Sequence, residues 1–215
     1  QGKNLGTIGE PANYNSLALS PDGSRVAVDI LDATASDLWL IENTPGGKSE
    51  RFTFDPGSEL GPVWSADGSQ IIYASARTGN PDSFFRKPSN LSVEGVELFK
   101  SPGLKWPNDW SRDGKTLLFT SVTGNPDLSF LTLDSTGKQA ELKAETFLKT
   151  DQTEERGKLS PDGRWLAYVS NATTRNEIYV RPFPPSAERS GQVMVSQAVL
   201  GELGCQGWLT NRWPV

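Results

Sequence analysis

The chain has 215 residues, 35% of them hydrophobic, and a formal net charge of −5 at pH 7. This apolar content supports a buried core, and the acidic balance argues against a basic surface for nucleic acid. No apolar run approaches the ~18 residues of a membrane-spanning helix, and no secretory signal opens the chain. The first residue is Gln1 rather than Met, which indicates a processed chain or an excised piece. Length alone leaves open one large all-β domain or two ordinary domains.

Histidine is absent from the sequence, and Cys205 is its single cysteine. Ser-His-Asp and Cys-His catalysis need an imidazole, as do imidazole-ligated zinc, copper and iron sites. One cysteine also excludes an internal disulfide and a multi-cysteine metal site. Carboxylate chemistry and oxygen-ligated calcium are the chemistries left open to this chain.

A four-residue motif, Ser-x-Asp-Gly, recurs along the chain at offsets of 45, 46 and 49 residues. A large apolar residue precedes each copy and a short apolar run follows it, which makes this an internal repeat. The copies are Ser20–Gly23, Ser65–Gly68, Ser111–Gly114 and Ser160–Gly163. An acidic residue and another apolar stretch follow 14 or 15 residues after each motif aspartate.

Each copy predicts a β-hairpin, because Asp-Gly between two apolar runs is a strong turn signal. The aspartate side chain accepts backbone N–H bonds, and the glycine adopts a positive φ. Two more polar turns in each repeat lead to two further short strands, the last of them at Arg51–Phe54 in the first repeat. Four short antiparallel strands at this period fit a propeller blade. The sequence therefore predicts an all-β fold, a β-propeller of four-stranded antiparallel blades without helices.

The repeat resembles that of the TolB-type propellers, the Ser-Pro-Asp-Gly relatives of the WD-repeat families. The resemblance extends from Ser16 to about Trp208. Three segments are similar to propellers attached to bacterial membrane-anchored Ser/Thr kinases and winged-helix regulators: Arg51–Pro56, Lys105–Gly114 and Glu177–Pro184. The resemblance implies a periplasmic or other extracytoplasmic location in a bacterium. It says almost nothing about activity.

The repeat divides the chain into four blades and two partial flanking segments. Residues 1–15 are expected to supply an outer strand of a preceding blade, and residues 203–215 to begin a truncated fifth blade. The blades are assigned to residues 16–56, 57–104, 105–152 and 153–202. An arc with open ends exposes sheet faces, which favours a homodimer or dependence on missing blades. A tight closed ring of four blades is the alternative.

The polar segments before each first strand are expected to share one face of the propeller, opposite the Asp-Gly turns. This acidic funnel is predicted to bind a protein or a small-molecule ligand. Calcium is the one cofactor considered, with Glu59, Asp109 and Glu155 as candidate ligands; the alternative is a solvated polar rim. The funnel residues are Glu59, Trp106, Asn108, Asp109, Glu154, Glu155, Arg156 and Glu202.

The sequence also gives predictions for the four turn aspartates and for Trp106. The turn aspartates recur in every repeat, and a site used once rarely needs four copies, so a structural role is predicted for Asp22, Asp67, Asp113 and Asp162. Trp106 departs from the repeat, since its counterparts are Asn15, Leu60 and Glu155. It is predicted either to stack on a ligand or to pack in the core.

Three functions compete. The leading hypothesis is a non-catalytic binding module, a sensor or scaffold domain without catalytic residues or nucleic-acid binding of its own. The second is a calcium-dependent hydrolase of the lactonase or phytase kind, against which the absence of histidine argues. The third is the gating propeller of a prolyl-oligopeptidase-like enzyme. That activity would need another segment, because the chain has no Gly-x-Ser-x-Gly elbow.

Overall fold

The computed structural model describes residues 6–77, 83–133, 142–185 and 191–195. These residues form four four-stranded antiparallel sheets and contain no helix, which confirms the predicted all-β propeller fold. Consequently, no helix that could span a membrane occurs in these ranges. Glu202 and the expected fifth blade at 203–215 lie outside the described residues, and Gly6–Ile8 form no strand.

The chain divides into two compact units, Gln1–Pro107 and Asn108–Val215. In the first unit, each sheet has its strands in sequence order. Blade 1 consists of β1 (Tyr14–Leu19), β2 (Arg25–Leu31), β3 (Ser36–Glu42) and β4 (Ser49–Arg51). Blade 2 consists of β5 (Glu59–Trp64), β6 (Gln70–Ser75), β7 (Ser83–Pro88) and β8 (Val96–Lys100).

The second unit repeats this topology in blades 3 and 4, and the first strand of blade 3 runs across the boundary between the units. Blade 3 consists of β9 (Leu104–Trp110), β10 (Thr116–Val122), β11 (Pro126–Thr132) and β12 (Ala144–Leu148). Blade 4 consists of β13 (Glu154–Leu159), β14 (Trp165–Ser170), β15 (Glu177–Pro182) and β16 (Val193–Met194). Every blade's first strand ends at the residue before its turn serine.

The fourth strand of blade 1 is shorter than the sequence predicted. It ends at Arg51 rather than at Phe54. The N–H groups of Phe52 and Thr53 both donate to the carbonyl of Leu38, and the Thr53 hydroxyl accepts from the N–H of Leu38 at 2.9 Å. This bonding turns the chain inward and buries the Phe52 side chain completely.

The Ser-x-Asp-Gly turns all close with the same hydrogen bonds. In the first, the Ser20 hydroxyl donates to Asp22 at 2.6 Å, and the N–H of Ser24 donates to the same carboxyl oxygen at 3.0 Å. The Ser20 oxygen also accepts from the N–H of Arg25 at 2.9 Å, while Gly23 has a φ of 72°. The same three bonds form in the other turns, at Ser65–Gln70, Ser111–Thr116 and Ser160–Trp165.

These bonds predict that acid weakens the turns. Bonds from the serine hydroxyl and from backbone N–H lower the pKa of Asp22 and of Asp67 to about 2, and they lower the pKa of the other two turn aspartates as well. Because the folded pKa lies below the unfolded one, the stabilisation is complete above pH 4 and is lost as the pH falls through about 2. Replacing all four aspartates by asparagine should lower the thermal midpoint at pH 7, with the difference narrowing toward pH 2.

Circular dichroism melts at several pH values measure this effect. A matched control replaces four exposed glutamates outside the turns by glutamine, at Glu10, Glu50, Glu97 and Glu145. A control variant as destabilised as the asparagine variant would assign the effect to net charge instead of to the turns.

Within each unit, the two blades pack through the same register positions. The leading face of a blade, which contacts the blade before it, is formed in blade 2 by Trp64, Ile71, Tyr73 and Phe85, and in blade 4 by Leu159, Leu166, Tyr168 and Tyr179. The trailing face, which receives the next blade, is formed in blade 1 by Ala27, Leu38 and Leu40, and in blade 3 by Leu118, Leu128 and Phe130. Burial of these side chains is the main apolar stabilisation of each unit.

Candidate functional site

The predicted funnel residues occupy different depths along the first strands of their blades. Glu59 and Glu154 are the first residues of β5 and β13, whereas Asn108 and Asp109 lie just before the last residue of β9. Since a strand rises about 3.3 Å per residue, a side chain at the start of a first strand and one near its end lie at different depths in the blade. The structure therefore separates the set into buried groups and partly exposed groups.

Glu59 is a buried group between blades 1 and 2. Its side chain has no exposed surface, and its Oε1 accepts a hydrogen bond from the Ser75 hydroxyl at 2.9 Å. Its Oε2 has no hydrogen-bond partner among the residues that the structure describes. Burial raises the pKa of Glu59 to about 7, with the nearby Asp55 and Asp37 carboxyls adding to the increase and the Ser75 hydroxyl bond opposing it. Glu59 is thus placed to hold a proton near neutral pH, away from bulk solvent.

Glu154 occupies the equivalent position between blades 3 and 4. Its Oε1 accepts from the Thr150 hydroxyl at 2.7 Å and lies 3.5 Å from the Ser170 hydroxyl. Its Oε2 is buried and has no hydrogen-bond partner within the described part of the chain. Burial raises the pKa of Glu154, and the neighbouring Asp127 carboxyl adds to the effect. The two units therefore repeat one arrangement, a glutamate opposite a serine on the next strand.

Asn108 and Asp109 connect blade 3 to blade 4. The Asp109 Oδ2 accepts from the N–H of Leu159 at 2.8 Å, and its Oδ1 lies 3.7 Å from the Lys158 ammonium. That ammonium also donates to the Asn108 carbonyl at 2.5 Å, while the Thr120 hydroxyl donates to the Asn108 side chain at 2.7 Å. Through these bonds, Asn108 and Asp109 hold strand β13 against strand β9.

Glu155 and Arg156 are partly exposed, as is Asp109, whose side chain is 25% exposed. Glu155 and Arg156 lie in a bulge of β13, where the pairing register with β14 shifts between Glu155 and Lys158. The Arg156 guanidinium is 3.5 Å from the Glu155 carboxyl, and the two side chains are 36% and 22% exposed. Arg156 has a φ of 58°, and the equivalent residue in the β5 bulge is Gly61, with a φ of 61°. A side chain in this left-handed conformation costs about 1–2 kcal/mol, which glycine avoids.

Trp106 packs beside the β5 bulge. It is half-buried in β9. A side-chain carbon added to Gly61 would lie 3.4 Å from the Trp106 Cβ and 3.3 Å from the Pro107 carbonyl oxygen. The bulge glycine thus allows β9 to approach closely, and the tryptophan keeps part of its ring surface accessible. Both predictions for Trp106, ligand stacking and core packing, are compatible with this position.

Asp29 is a residue whose importance the sequence analysis missed. Its side chain is fully buried, and it accepts hydrogen bonds from the backbone N–H of Ser16, from the Asn15 amide at 3.2 Å and from the N–H of Gly61 at 3.3 Å. It therefore ties β2 to β1 and to the first strand of blade 2. The available signal was an acid inside an otherwise apolar strand, Val26–Leu31.

The proposed calcium ligands remain predictions. Within the described ranges, no group of three or more acidic or cysteine side chains is placed to hold a metal ion. Asp109 already bonds to Leu159 and Lys158, and Glu59 is enclosed between two blades. What the arrangement offers chemically is a set of charged and aromatic side chains presented next to strand bulges.

The same two register positions carry a different pair of residues in each blade. The pairs are Asn15-Ser16, Leu60-Gly61, Trp106-Pro107 and Glu155-Arg156. The turn motif, in contrast, is nearly constant across the blades. Folds usually present a recognition surface in this way, with a constant scaffold that positions variable residues.

Comparisons with known proteins agree with this architecture. The peptidase YuxL of Bacillus subtilis strain 168, itself uncharacterised, is 31% identical over 160 residues, which are 74% of this chain and 22% of YuxL. The Tol-Pal system protein TolB of Anaeromyxobacter dehalogenans strain 2CP-C is 32% identical over 57 residues, 26% of this chain and 13% of TolB. The chain thus spans less than a quarter of the length of either relative.

The chain is also similar to solved TolB structures and matches a family of propeller domains. The crystal structure of TolB from Acinetobacter baumannii superposes with a TM-score of 0.67 and 20% identity, covering 85% of this chain and 43% of that one. Residues 8–181 match the TolB β-propeller domain family. The match covers most of the chain, including all four turn motifs. The chain belongs to the TolB β-propeller domain family.

Proposed function

We propose that this chain is a non-catalytic binding module that recognises a charged segment of a partner protein through the β13 bulge. The observation that carries this proposal is the conformation of Arg156. A glycine serves at the equivalent position of β5, yet here an arginine is held at a φ of 58°. Strained residues of this kind concentrate at functional sites. The cost of the conformation is offset if the guanidinium and the adjacent Glu155 take part in recognition.

The charge of the molecule favours a basic partner. The net charge is −5, and like-charged partners are disfavoured while opposite charges speed association. Glu155 supplies a carboxyl for a lysine or arginine of the partner, and Arg156 supplies a fork for an acidic side chain or a terminal carboxylate beside it. A mixed segment with an excess of basic residues fits this pair.

A location outside the cytoplasm is part of the proposal. One relative is a Tol-Pal system protein, and the sequence resembles propellers that bacteria place outside the cytoplasm. A role as a sensor or scaffold domain of a larger protein is consistent with the small share of its relatives that the chain spans. The alternative proposal is that a small-molecule ligand binds at the same β13 bulge.

Peptide binding tests the proposal. Fluorescein-labelled peptides of Lys-rich, Glu-rich and neutral composition are titrated with the chain at low and high salt, and fluorescence polarisation is recorded. We expect the Lys-rich peptide to bind, and more weakly at high salt. The combined change Glu155→Gln and Arg156→Gly should weaken binding at least about fivefold. The unfolding midpoint should hold or rise, because glycine relieves strain of about 1 kcal/mol.

Two outcomes decide against this assignment. Binding that survives the double change would move the site elsewhere, and the absence of binding to all three peptides would reject charged-segment recognition. Glu97→Gln, an exposed acid on β8, is the matched control for loss of one negative charge. It should bind the Lys-rich peptide like the parent chain.

The enzymatic alternatives give a separate prediction. A non-catalytic module shows no turnover of lactone, ester, phosphate or peptide substrates, with or without calcium, because the chain has neither histidine nor a nucleophile elbow. Calcium-dependent turnover that disappears on Glu59→Gln or Glu155→Gln would establish a hydrolase instead. A propeller that gates a peptidase, the alternative kept open by YuxL, would show no turnover by itself and would contact a catalytic domain.

A further inference from the structure

A pocket lies between the Ser-x-Asp-Gly turns of blades 1 and 2, within the first unit. Its volume is about 490 Å³, which is in the range of small-molecule sites, roughly 300–1,000 Å³. Both turns and the first residue of β2 form its walls, at Ser20–Asp22, Arg25 and Ala66–Gly68. Three of the lining side chains are charged, two aspartates and one arginine, so the pocket presents charges of both signs.

The two aspartates of the pocket are ionised and have no cationic partner. Hydrogen bonds from the turn serine hydroxyls and from backbone N–H groups lower the pKa of Asp22 and of Asp67 to about 2. The residues that follow the turn glycines, Ser24 and Ser69, donate to these carboxyls only through hydroxyl and backbone N–H groups. None of the ion pairs within the described ranges includes either aspartate.

The equivalent turns of the second unit carry a cation of their own. The residue after the turn glycine is Lys115 in blade 3 and Arg164 in blade 4. The Arg164 Nε donates to Asp162 at 2.6 Å, while the N–H of the same residue makes the usual turn bond at 3.0 Å. The turn therefore tolerates an internal counter-ion, and blades 1 and 2 have a serine where it would stand.

Arg25 is anchored in the pocket by groups other than carboxylates. Its Nη1 donates to the Ser89 carbonyl at 2.9 Å, its Nη2 donates to the Ser89 hydroxyl at 3.2 Å, and its guanidinium lies 5.2 Å from the centroid of the Trp64 ring. These bonds use two of the five guanidinium N–H groups. Because the aspartates are held by their own turns and Arg25 by Ser89 and Trp64, opposite charges line one pocket and form no ion pair with each other.

We propose that this pocket binds a free amino acid, or another small molecule that carries an ammonium group together with a carboxylate. The ligand carboxylate accepts from the remaining N–H groups of Arg25, and its ammonium donates to Asp22 and Asp67. A simple cation would face Arg25, and a simple anion would face the two aspartates, so a ligand with both charges fits best. The protein groups are already fixed, which reduces the ordering that binding requires.

Nuclear magnetic resonance titration of the isotope-labelled chain with L-alanine tests this proposal. The reporter is the indole N–H signal of Trp64, assigned with a Trp64→Phe variant, because the Arg25 guanidinium lies over this ring. Alanine suffices as the probe, since the groups recognised are common to all amino acids. The signal should shift and saturate at millimolar alanine, and a chain whose signal does not respond would overturn the proposal.

Two analogues of alanine separate the roles of the two charges. L-Alaninamide keeps the ammonium group without the carboxylate, and N-acetyl-L-alanine keeps the carboxylate without the ammonium group. We expect each to bind at least about tenfold more weakly than L-alanine, because each loses one charge-assisted contact. An analogue that binds as well as alanine would contradict the recognition of both charges.

A variant that supplies the missing counter-ions locates the site. Ser24→Arg combined with Ser69→Arg copies the turn of blade 4, in which Arg164 pairs with its aspartate and the backbone bonds remain. This variant should stay folded by circular dichroism and lose the response to alanine. Thr34→Arg combined with Ser49→Arg adds the same charge at exposed positions outside the pocket and should bind alanine like the parent chain.

The β13 bulge provides the last control. This pocket belongs to the first unit, so the combined change Glu155→Gln and Arg156→Gly should leave alanine binding unchanged even where it abolishes peptide binding. Loss of alanine binding in that variant would move the amino-acid site to the bulge and reject the pocket. Equal losses in the Ser24/Ser69 variant and in its charge-matched control would also reject it.

Discussion

Replacing Asp29 by alanine should destabilise the first unit by about 3 kcal/mol or more. The carboxyl is fully buried and accepts bonds from the backbone N–H groups of Ser16 and Gly61 and from the Asn15 amide. Alanine leaves those donors without an acceptor in a site that water does not reach, and each unsatisfied buried donor costs about 1–3 kcal/mol. Urea unfolding followed by circular dichroism should show a lower midpoint with an unchanged slope.

Two further variants make the Asp29 result specific. Asp29→Asn keeps one acceptor oxygen and should be intermediate in stability. Asp32→Ala removes an exposed carboxyl that accepts from the N–H of the adjacent Ala33, and it should change the unfolding free energy by less than about 1 kcal/mol. Equal losses for Asp29→Ala and Asp32→Ala would show that the connection between the blades contributes nothing measurable.

Replacing Glu59 by glutamine should stabilise the protein at pH 8 and leave its stability unchanged near pH 4. Burial raises the pKa of Glu59 from 4.5 to about 7, so the folded chain holds a proton that the unfolded chain has lost. Stability therefore falls as the pH rises from about 4.5 to about 7, by up to about 3 kcal/mol. Glutamine has nearly the same shape, still accepts from the Ser75 hydroxyl, and carries no charge to desolvate.

The pH profile of the unfolding free energy between pH 4 and pH 9 measures this prediction. The parent curve should decline across the window and the Glu59→Gln curve should be flatter. Glu97→Gln is the control for the loss of one charge at an exposed site, and its curve should run parallel to that of the parent. A Glu59→Gln curve parallel to the parent would mean that another group carries the pH dependence.

The fold could be predicted because its signals are local. Asp-Gly between apolar runs specifies a hairpin without reference to the rest of the chain, and four copies in register leave little freedom for the strands between them. The end of β4 could not be predicted, since it depends on Phe52 and Thr53 bonding to Leu38 on another strand. Neither residue carries a signal that separates it from the strand before it.

The candidate site was harder to predict because depth and backbone angle decide which polar residues are accessible. Glu59 and Glu155 are both acids near the start of the first strand of a blade, yet Glu59 is buried between blades and the Glu155 side chain is 22% exposed. The left-handed conformation of Arg156 follows from a bulge, and only comparison with Gly61 in the equivalent position would have suggested it. The residues of a binding site that is used once do not recur from blade to blade, so the repeat gives no signal for them.

The turn at the start of each hairpin closes within six residues, from Ser20 to Arg25 in the first blade. The three bonds that close it all run between residues of this six-residue segment, so no neighbouring blade is needed to form them. A copy of such a segment in a gene therefore brings its own turn-closing bonds with it. Proteins of this architecture can therefore change length in whole-repeat steps of about 45 residues, each new copy arriving with its own folding signal.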